Sequence, residues 1–258
     1  MSAILKEKVF TITGGVSGMG AATAKLLAQR SAGALCIADR QASRFCSLRE
    51  ELSKISPETK VMTTEVDVSS SYAVALWLNS VVASFGRLDG CANVAGVAQQ
   101  VGIRQKPNIL EETDETWKKT LSVNLDGVMY CTREQVRTML QLPKAPRTIV
   151  NVASLASYRT TPDVFAYTAS KKACAAFSTS VAKDVHDFDI RVNTVSPGAT
   201  LTPMMSEFYP DEARDKSLEG IGMNLLSPND IARAILYLLT EDSANITGAN
   251  LPVGLGVP

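Results

Sequence analysis

The sequence has very little histidine and no excess of either charge. Its 258 residues include a single histidine, His186, and its 26 Lys and Arg residues are balanced by 26 Asp and Glu residues. A chain with zero net charge lacks the basic face that nucleic-acid binding requires. We therefore expect no nucleic-acid partner.

The shortage of histidine also restricts the chemistry. The five cysteines never form a C-x-x-C pair, so no set of residues has the spacing of zinc ligands. A Ser–His–Asp triad would have to use His186, whose alternative role in "AKDVHDFDI" is to interact with the last turn of a helix. We predict no metal site and a reaction that uses neither metal nor histidine.

Long apolar segments are missing as well. No run reaches the roughly 18 residues of a membrane span, and "MSAILKEKVF" has no signal-peptide core before its charges begin. The final "LGVP" matches no lipidation or retrieval signal, and the scattered, odd-numbered cysteines favour reduced thiols over a disulfide framework. The protein is predicted to be cytoplasmic, with no membrane partner.

Short β-branched runs alternate along the chain with longer segments of helical periodicity. The predicted strands include "KVFTIT", "ALCIAD", "RTIVNVAS" and "IRVNTVS". Several of them are apolar throughout, as in a parallel sheet that is covered on both faces. The alternation predicts an α/β fold with one Rossmann-type, doubly wound parallel sheet of about seven strands and helices on both faces. No linker interrupts it, so residues 1–258 are predicted to form one domain.

One segment, at about residues 203–226, breaks this alternation. A long connection inside a compact domain is usually functional or disordered, and its apolar content favours one or two short helices over a site. Deformable apolar side chains suit a bulky, flat or polycyclic ligand, although a core role for half of them is an equal alternative. The side chains concerned are Met204, Met205, Phe208, Tyr209, Met223, Leu225 and Leu226.

The first predicted strand leads into a glycine-rich turn, "TGGVSGMG". Gly14, Gly18 and Gly20 precede an amphipathic helix, and glycines there allow a pyrophosphate to approach the helix N-terminus. Asp39 ends the next strand, near the spacing expected for a ribose contact. The alternative is a plain turn with a solvated acid, but strand, turn, helix and acid together predict a dinucleotide site.

Asp39 also bears on the choice of dinucleotide. A carboxylate about 5 Å from a 2′-phosphate, at an effective dielectric near 20, costs roughly 3 kcal/mol, or about a hundredfold in affinity. NAD(H) is therefore the preferred cofactor in this prediction. NADP(H) is possible because the adjacent Arg40 partly offsets the acid.

The stretch "YTASK" holds a phenol and an ammonium group four residues apart. On a helix, Tyr167 and Lys171 share one face. An ammonium about 4 Å away stabilises a phenolate by roughly 4 kcal/mol at a dielectric of 20, which would turn a poor base into an acid–base catalyst. An isolated pair of this kind is more often structural, but Ser154 ends a strand upstream, where it could hydrogen-bond a substrate oxygen.

These motifs, together with Asn124 in "LSVNLDG", resemble the short-chain dehydrogenase/reductase family over essentially the whole chain. The resemblance implies reversible hydride transfer between a secondary alcohol or ketone and NAD(H). Tyr167 would be the general acid/base, Lys171 would stabilise its phenolate and hold the nicotinamide ribose, and Ser154 would orient the substrate oxygen. Asn124 would hold a water molecule of a proton relay.

The resemblance also implies the cofactor contacts. Asp67 of "DVS" and Val68 would contact adenine. Asn93 and Gly96 of "NVAG" would line the cofactor's path, and Pro197, Gly198 and Thr202 would face the nicotinamide. The predicted cofactor-binding residues are Gly14, Ser17, Gly18, Met19, Gly20, Asp39, Arg40, Asp67, Val68, Asn93, Ala95, Gly96, Tyr167, Lys171, Pro197, Gly198, Thr200 and Thr202.

Three features depart from the family's pattern. Val94 stands where a second asparagine is frequent, Ala153 precedes Ser154 where a serine is common, and "PVGLGVP" lacks the usual Asp-Gly-Gly. The last departure concerns the subunit edge more than the chemistry. By the same resemblance, helix faces around Asn124 and Tyr167 and the final strand would build a homo-oligomer, a tetramer or a dimer, unless they are buried in the core of one subunit.

The predicted substrate is a bulky hydrophobic alcohol or ketone of steroid-, terpenoid- or polyketide-like character. Two alternatives keep the fold and the dinucleotide. One is an NADPH-dependent biosynthetic ketoreductase. The other is a non-catalytic sensor or scaffold that binds the cofactor without turnover.

Overall fold

A parallel sheet of seven strands lies at the centre of the described part of the molecule. The computed structural model describes residues 5–99, 106–160, 162–208 and 225–254. All neighbouring strands are parallel, in the order β3-β2-β1-β4-β5-β6-β7, which confirms the predicted Rossmann-type sheet. The strands are β1 Val9–Thr13, β2 Ala34–Asp39, β3 Lys60–Glu65, β4 Gly90–Asn93, β5 Arg147–Val152, β6 Ile190–Pro197 and β7 Asn250–Val253.

Helices cover both faces of this sheet. The helices are α1 Gly18–Gln29, α2 Phe45–Ile55, α3 Ser71–Phe85, α4 Asp114–Leu121, α5 Val128–Gln141, α6 Phe165–Val185, α7 Pro203–Phe208 and α8 Pro228–Leu239. One core cluster joins α1, α2 and α8 to the sheet, and a second joins α3, α5 and α6 to it. In β1, Phe10 and Ile12 belong to the first cluster and Val9 to the second, so both faces of the strand are buried.

The sheet order reverses direction between β1 and β4. β1 pairs with β2 on one side and with β4 on the other. In an open parallel sheet, the loops that leave the carboxyl ends of two such strands diverge and leave a crevice between them. Here those loops are the glycine-rich turn after β1 and residues 94–99 after β4, so the topology places the predicted dinucleotide motifs around one opening.

The helical stretch that runs through α4 and α5 changes its type in the middle. It is α-helical up to Leu121, π-helical over Ser122–Gly127, and α-helical again from Val128. A π-helical turn holds an extra residue within an α-helix, and such turns are frequent at functional sites. The turn contains Asn124, whose side chain is completely buried.

The segment predicted to cover a site is described in part. α7 provides one of the expected short helices, whereas residues 209–224, with Tyr209 and Met223, lie outside the described residues. Met205 is buried and Leu226 packs against the core, but Met204 lines the cleft described below. The core role and the site role therefore apply to different side chains of this segment.

The helices predicted to form subunit contacts bury one face within their own chain. Cys131 and Met139 of α5 and Ala182 and Val185 of α6 belong to the second core cluster. Leu140, at the end of α5, is exposed. The burial accounts for part of the apolar pattern without a partner, and the oligomer stays a prediction.

Most of the cysteines are inert by burial. Cys36, Cys91, Cys131 and Cys174 are buried, and only Cys46 is exposed. Burial raises the pKa of the Cys36 and Cys131 thiols to about 12, so both remain protonated at neutral pH. Within the described ranges, no helix combines the length and the apolar character needed to cross a membrane.

Candidate active site

A cleft opens at the carboxyl ends of β1, β2 and β4 and contains about 800 Å³ of empty space. Its walls come from the glycine-rich turn, the end of β2, the segment after β3, the loop after β4 and the start of α7. The predicted cofactor-binding residues that line it are Gly14, Ser17, Gly18, Met19, Gly20, Asp39, Arg40, Asp67, Val68, Ala95, Gly96 and Thr202.

The glycine-rich turn is packed too closely at Gly20 to hold a side chain there. A Cβ atom on Gly20 would lie 2.1 Å from the carbonyl oxygen of Gly14. Ser17 is the N-cap residue of α1, but its side chain makes no capping hydrogen bond. A helix N-terminus without a side-chain cap, beside closely packed glycines, fits the pyrophosphate of a dinucleotide.

Asp39 is held rigidly at the edge of the cleft. One carboxylate oxygen accepts a hydrogen bond from the backbone N–H of Val16 at 3.2 Å, and the other accepts from the N–H of Gln41 at 3.0 Å. The bond to Val16 connects the end of β2 to the glycine-rich turn, and the bond to Gln41 fixes the residues that follow β2. A carboxylate fixed at this point can accept hydrogen bonds from the hydroxyl groups of a ribose, which again fits a dinucleotide.

Opposite charges meet at the predicted adenine end of the cleft. The Arg40 guanidinium lies 3.9 Å from the Asp67 carboxylate, and Ser69 donates two hydrogen bonds to the same carboxylate, at 2.7 and 2.9 Å. Partial burial raises the pKa of Asp67, but the Ser69 hydrogen bonds and the Arg40 charge outweigh it and lower that pKa below its usual value. Asp67 is therefore an anion at neutral pH and partly neutralises the positive charge of Arg40.

Tyr167 and Lys171 lie on one face of α6, as their spacing predicts. The Lys171 ammonium is 5.7 Å from the centre of the Tyr167 ring and donates a hydrogen bond of 3.0 Å to the carbonyl oxygen of Val152, at the end of β5. Only 5% of Lys171 is exposed, whereas Tyr167 is partly exposed. The ammonium is therefore held in a protected position beside a partly exposed tyrosine.

Asn124 connects the loop after β4 to α6. Its side-chain oxygen accepts a hydrogen bond from the N–H of Val97 at 2.8 Å, and its side-chain nitrogen donates to the Val97 carbonyl at 3.0 Å and to the Ser170 hydroxyl at 3.4 Å. A Cβ atom on Gly96 would lie 3.2 Å from the Asn124 oxygen and 3.6 Å from the Lys171 nitrogen. The absent side chain at Gly96 leaves the Lys171 ammonium close to the cleft.

Ser154 follows β5 and begins a short 3₁₀ helix, Leu155–Ser157. Its hydroxyl oxygen accepts a hydrogen bond from the N–H of Ala156 at 3.2 Å. Within the part of the chain that the structure describes, its O–H has no acceptor, so that hydrogen can be donated to a bound molecule. The start of this helix is therefore suited to orient a substrate oxygen.

Some predicted cofactor residues lie outside the lining of the cleft. The side-chain amide of Asn93 is buried and hydrogen-bonds Gln135 and Asn151 at 2.8–2.9 Å, so it joins β4 to β5 and α5. The Lys171 nitrogen lies close to the lining at Gly96, 3.6 Å from the position that a Cβ would take there. The full set outside the lining is Asn93, Tyr167, Lys171, Pro197, Gly198 and Thr200.

Several lining residues were not predicted from the sequence. They are Ala38, Gln41, Val66, Val94, Val97, Val123 and Pro203. Most are apolar residues that stand next in the sequence to a predicted cofactor-binding residue. That position in the sequence is the only signal that could have predicted them. Among the residues that the structure describes, no three His, Cys, Asp or Glu side chains group as a metal site would require.

The sequence has close relatives along its full length. The family described as enoyl-(acyl carrier protein) reductase matches residues 14–258. The chain is 48% identical to chanoclavine-I dehydrogenase of Penicillium roqueforti, over 99% of this chain and 100% of the relative. It is 49% identical to chanoclavine-I dehydrogenase of Claviceps purpurea, over 98% of this chain and 99% of the relative.

Solved structures agree with these relatives. Levodione reductase superimposes with a TM-score of 0.90 at 26% identity, covering 98% of both chains. A short-chain dehydrogenase/reductase of the glucose/ribitol dehydrogenase type from Brucella melitensis superimposes with a TM-score of 0.86 at 28% identity, covering 100% of this chain and 99% of that one. Both similarities extend over the sheet, the cleft and α6.

The close packing of the glycine-rich turn predicts the effect of a single methyl group. Gly20→Ala should weaken dinucleotide binding by at least about tenfold, because the Cβ would displace the Gly14 carbonyl and open the turn. Isothermal titration calorimetry with NADH measures this affinity. Gly86→Ala is the control for backbone strain, since Gly86 has a φ of +66° but a Cβ there meets nothing within 4 Å and the residue does not line the cleft; equal affinities for both variants would contradict the assignment.

Proposed function

The chain belongs to the short-chain dehydrogenase/reductase family and is an oxidoreductase, and on that premise we propose that it dehydrogenates chanoclavine-I or a bulky alcohol of similar shape with NAD⁺. Full-length identities of 48% and 49% to dehydrogenases named for that compound support the substrate. The observation that carries the reaction is the Lys171 ammonium, 5.7 Å from the centre of the Tyr167 ring and close to the cleft at Gly96.

The side chains support a proton transfer without metal or histidine. The Tyr167 oxygen accepts the hydroxyl proton of the alcohol, and the Lys171 ammonium stabilises the phenolate form that makes this possible. Ser154 donates its O–H to the substrate oxygen while its own oxygen is held by the N–H of Ala156. When NAD⁺ is bound, it supplies the hydride acceptor.

Asn124 belongs to this machinery chiefly through its contacts with protein. Both polar atoms of its side chain are hydrogen-bonded, to Val97 and to Ser170. The relay water predicted at Asn124 would therefore be held by the main chain of the π-helical turn, whose hydrogen-bonding pattern differs from that of the flanking α-helices. The side chain itself fixes the loop that carries Gly96.

The geometry of Asp39 supports NAD(H) over NADP(H). Its carboxylate is fixed by the N–H groups of Val16 and Gln41, so it cannot move away from a 2′-phosphate without breaking these bonds. Arg40 could otherwise attract that phosphate, but it lies 3.9 Å from Asp67, whose negative charge partly neutralises it. The NADPH-dependent reductase, the main alternative, is disfavoured on the same ground.

The proposed reaction is tested by NADH absorbance with purified protein, chanoclavine-I and NAD⁺. Wild-type protein should form NADH, and Tyr167→Phe should lower kcat by at least about a hundredfold, since the general acid/base is lost, while NADH affinity changes little. Tyr130→Phe makes the same chemical change outside the cleft and should leave turnover intact. Cofactor binding without turnover of any alcohol or ketone would favour the non-catalytic alternative, and substantial activity in Tyr167→Phe would refute the role of the phenol.

The cofactor preference is tested by removing one charge. Asp39→Asn keeps the shape of the side chain but should raise the affinity for NADPH relative to NADH by about a hundredfold, because the repulsion of the 2′-phosphate is lost. Direct titration with both nucleotides measures the ratio. Adding Arg40→Gln to this variant should reduce the gain, and wild-type protein that binds NADPH as tightly as NADH would contradict the proposal.

A further inference from the structure

Gln99, in the loop after β4, hydrogen-bonds the backbone of Tyr167. Its side-chain oxygen accepts from the N–H of Tyr167 at 3.0 Å, across 68 positions of sequence, and the residue is only 1% exposed. The first N–H groups of a helix lack partners within the helix. α6 begins at Phe165, and its N-cap residue Val164 has no side chain that can accept. Gln99 therefore acts as the missing cap, at the residue that bears the phenol.

Glu112 fixes the orientation of the Gln99 amide. The side-chain nitrogen of Gln99 donates to the Glu112 carboxylate at 2.6 Å. A carboxylate accepts hydrogen bonds and does not donate them, so the amide nitrogen must face Glu112 and the amide oxygen must face Tyr167. The pair can be inverted without loss of a donor or an acceptor if position 99 carries the carboxylate and position 112 the amide.

The same loop reaches Tyr167 by a second route. Val97 is bound through its N–H and its carbonyl to Asn124, and Asn124 donates to Ser170. Ser170 in turn donates to the carbonyl oxygen of Tyr167 at 2.7 Å. The loop is thus connected to both the N–H and the carbonyl of Tyr167, while its residues Ala95, Gly96 and Val97 line the cleft.

We propose that Gln99 is a positioning residue, oriented by Glu112, that sets the location of the Tyr167 phenol relative to the cleft and couples it to the loop lining the dinucleotide site. This inference rests on the proposed function, in which Tyr167 transfers the proton. A displacement of about 1 Å in a reacting group can change a rate by about a hundredfold, so one hydrogen bond at the start of α6 is enough to matter.

A charge-swap series tests the proposal through kcat and KM. Gln99→Glu places two carboxylates in contact and should lower kcat by about ten- to a hundredfold, with NADH affinity within about threefold of wild type, because the lining of the cleft is unchanged. Glu112→Gln should have a small effect, since an amide oxygen can still accept from Gln99. The double variant Gln99→Glu/Glu112→Gln should recover kcat to within about threefold of wild type.

The pattern separates positioning from mere stability. Thermal denaturation of each variant identifies general unfolding, and a variant that loses kcat in proportion to its folded fraction would overturn the proposal. So would a double variant no more active than Gln99→Glu, or a Gln99→Glu variant with kcat intact.

A second measurement tests the contact between Gln99 and Tyr167 independently of the proposed substrate. Hydrogen–deuterium exchange at the start of α6 reports the Tyr167 N–H directly, with no turnover required. Gln99→Leu should speed exchange there because the acceptor is lost. The double variant Gln99→Glu/Glu112→Gln, which keeps an acceptor at position 99, should be as protected as wild type. If chanoclavine-I is not turned over but this exchange pattern holds, the proposed substrate fails while the contact stands; unchanged exchange in Gln99→Leu would overturn the contact itself.

Discussion

The site depends on a buried cation that has no acidic partner. Lys171 is almost completely enclosed, its ammonium donates to the carbonyl of Val152, and among the described residues no carboxylate lies within ion-pair distance of it. A buried charge is unfavourable unless another charge or dipole compensates it. The centre of the Tyr167 ring lies 5.7 Å from this ammonium. In the proposed reaction, this positive charge stabilises a phenolate at Tyr167, the form that can accept a proton from an alcohol.

The fold creates this arrangement by bringing distant segments to one edge of the sheet. The carboxyl end of β5 supplies the Val152 carbonyl and Ser154, the loop after β4 supplies Gly96, and α6 supplies Tyr167 and Lys171. Parallel strands align their carboxyl ends, so loops far apart in sequence meet at one opening. The π-helical turn directs the Asn124 amide toward the loop after β4, and the bonds of this amide to Val97 and Ser170 fix the wall of the cleft relative to α6.

Features set by local sequence could be predicted, and those set by distant contacts could not. The glycine-rich turn, Asp39 and the Tyr–Lys pair each follow from spacing within one segment, and the structure places them as that spacing implies. Asn93 was expected to line the cofactor's path, but its side-chain amide hydrogen-bonds Gln135, 42 positions away. The motif around Asn93 cannot predict a contact so distant in sequence. The roles of Val97 and Gln99 depend on main-chain bonds and on side chains from other segments.

The most direct test of this account is the pH dependence of turnover in Lys171→Met at saturating NAD⁺. If the ammonium acts by favouring the phenolate, the variant should lose at least about a hundredfold in kcat near pH 7. The variant should regain part of this loss as the pH rises. Without the Lys171 charge, the Tyr167 phenolate that accepts the proton forms only at higher pH. A variant impaired equally at every pH would contradict the account and would leave Lys171 only a role in holding the cofactor.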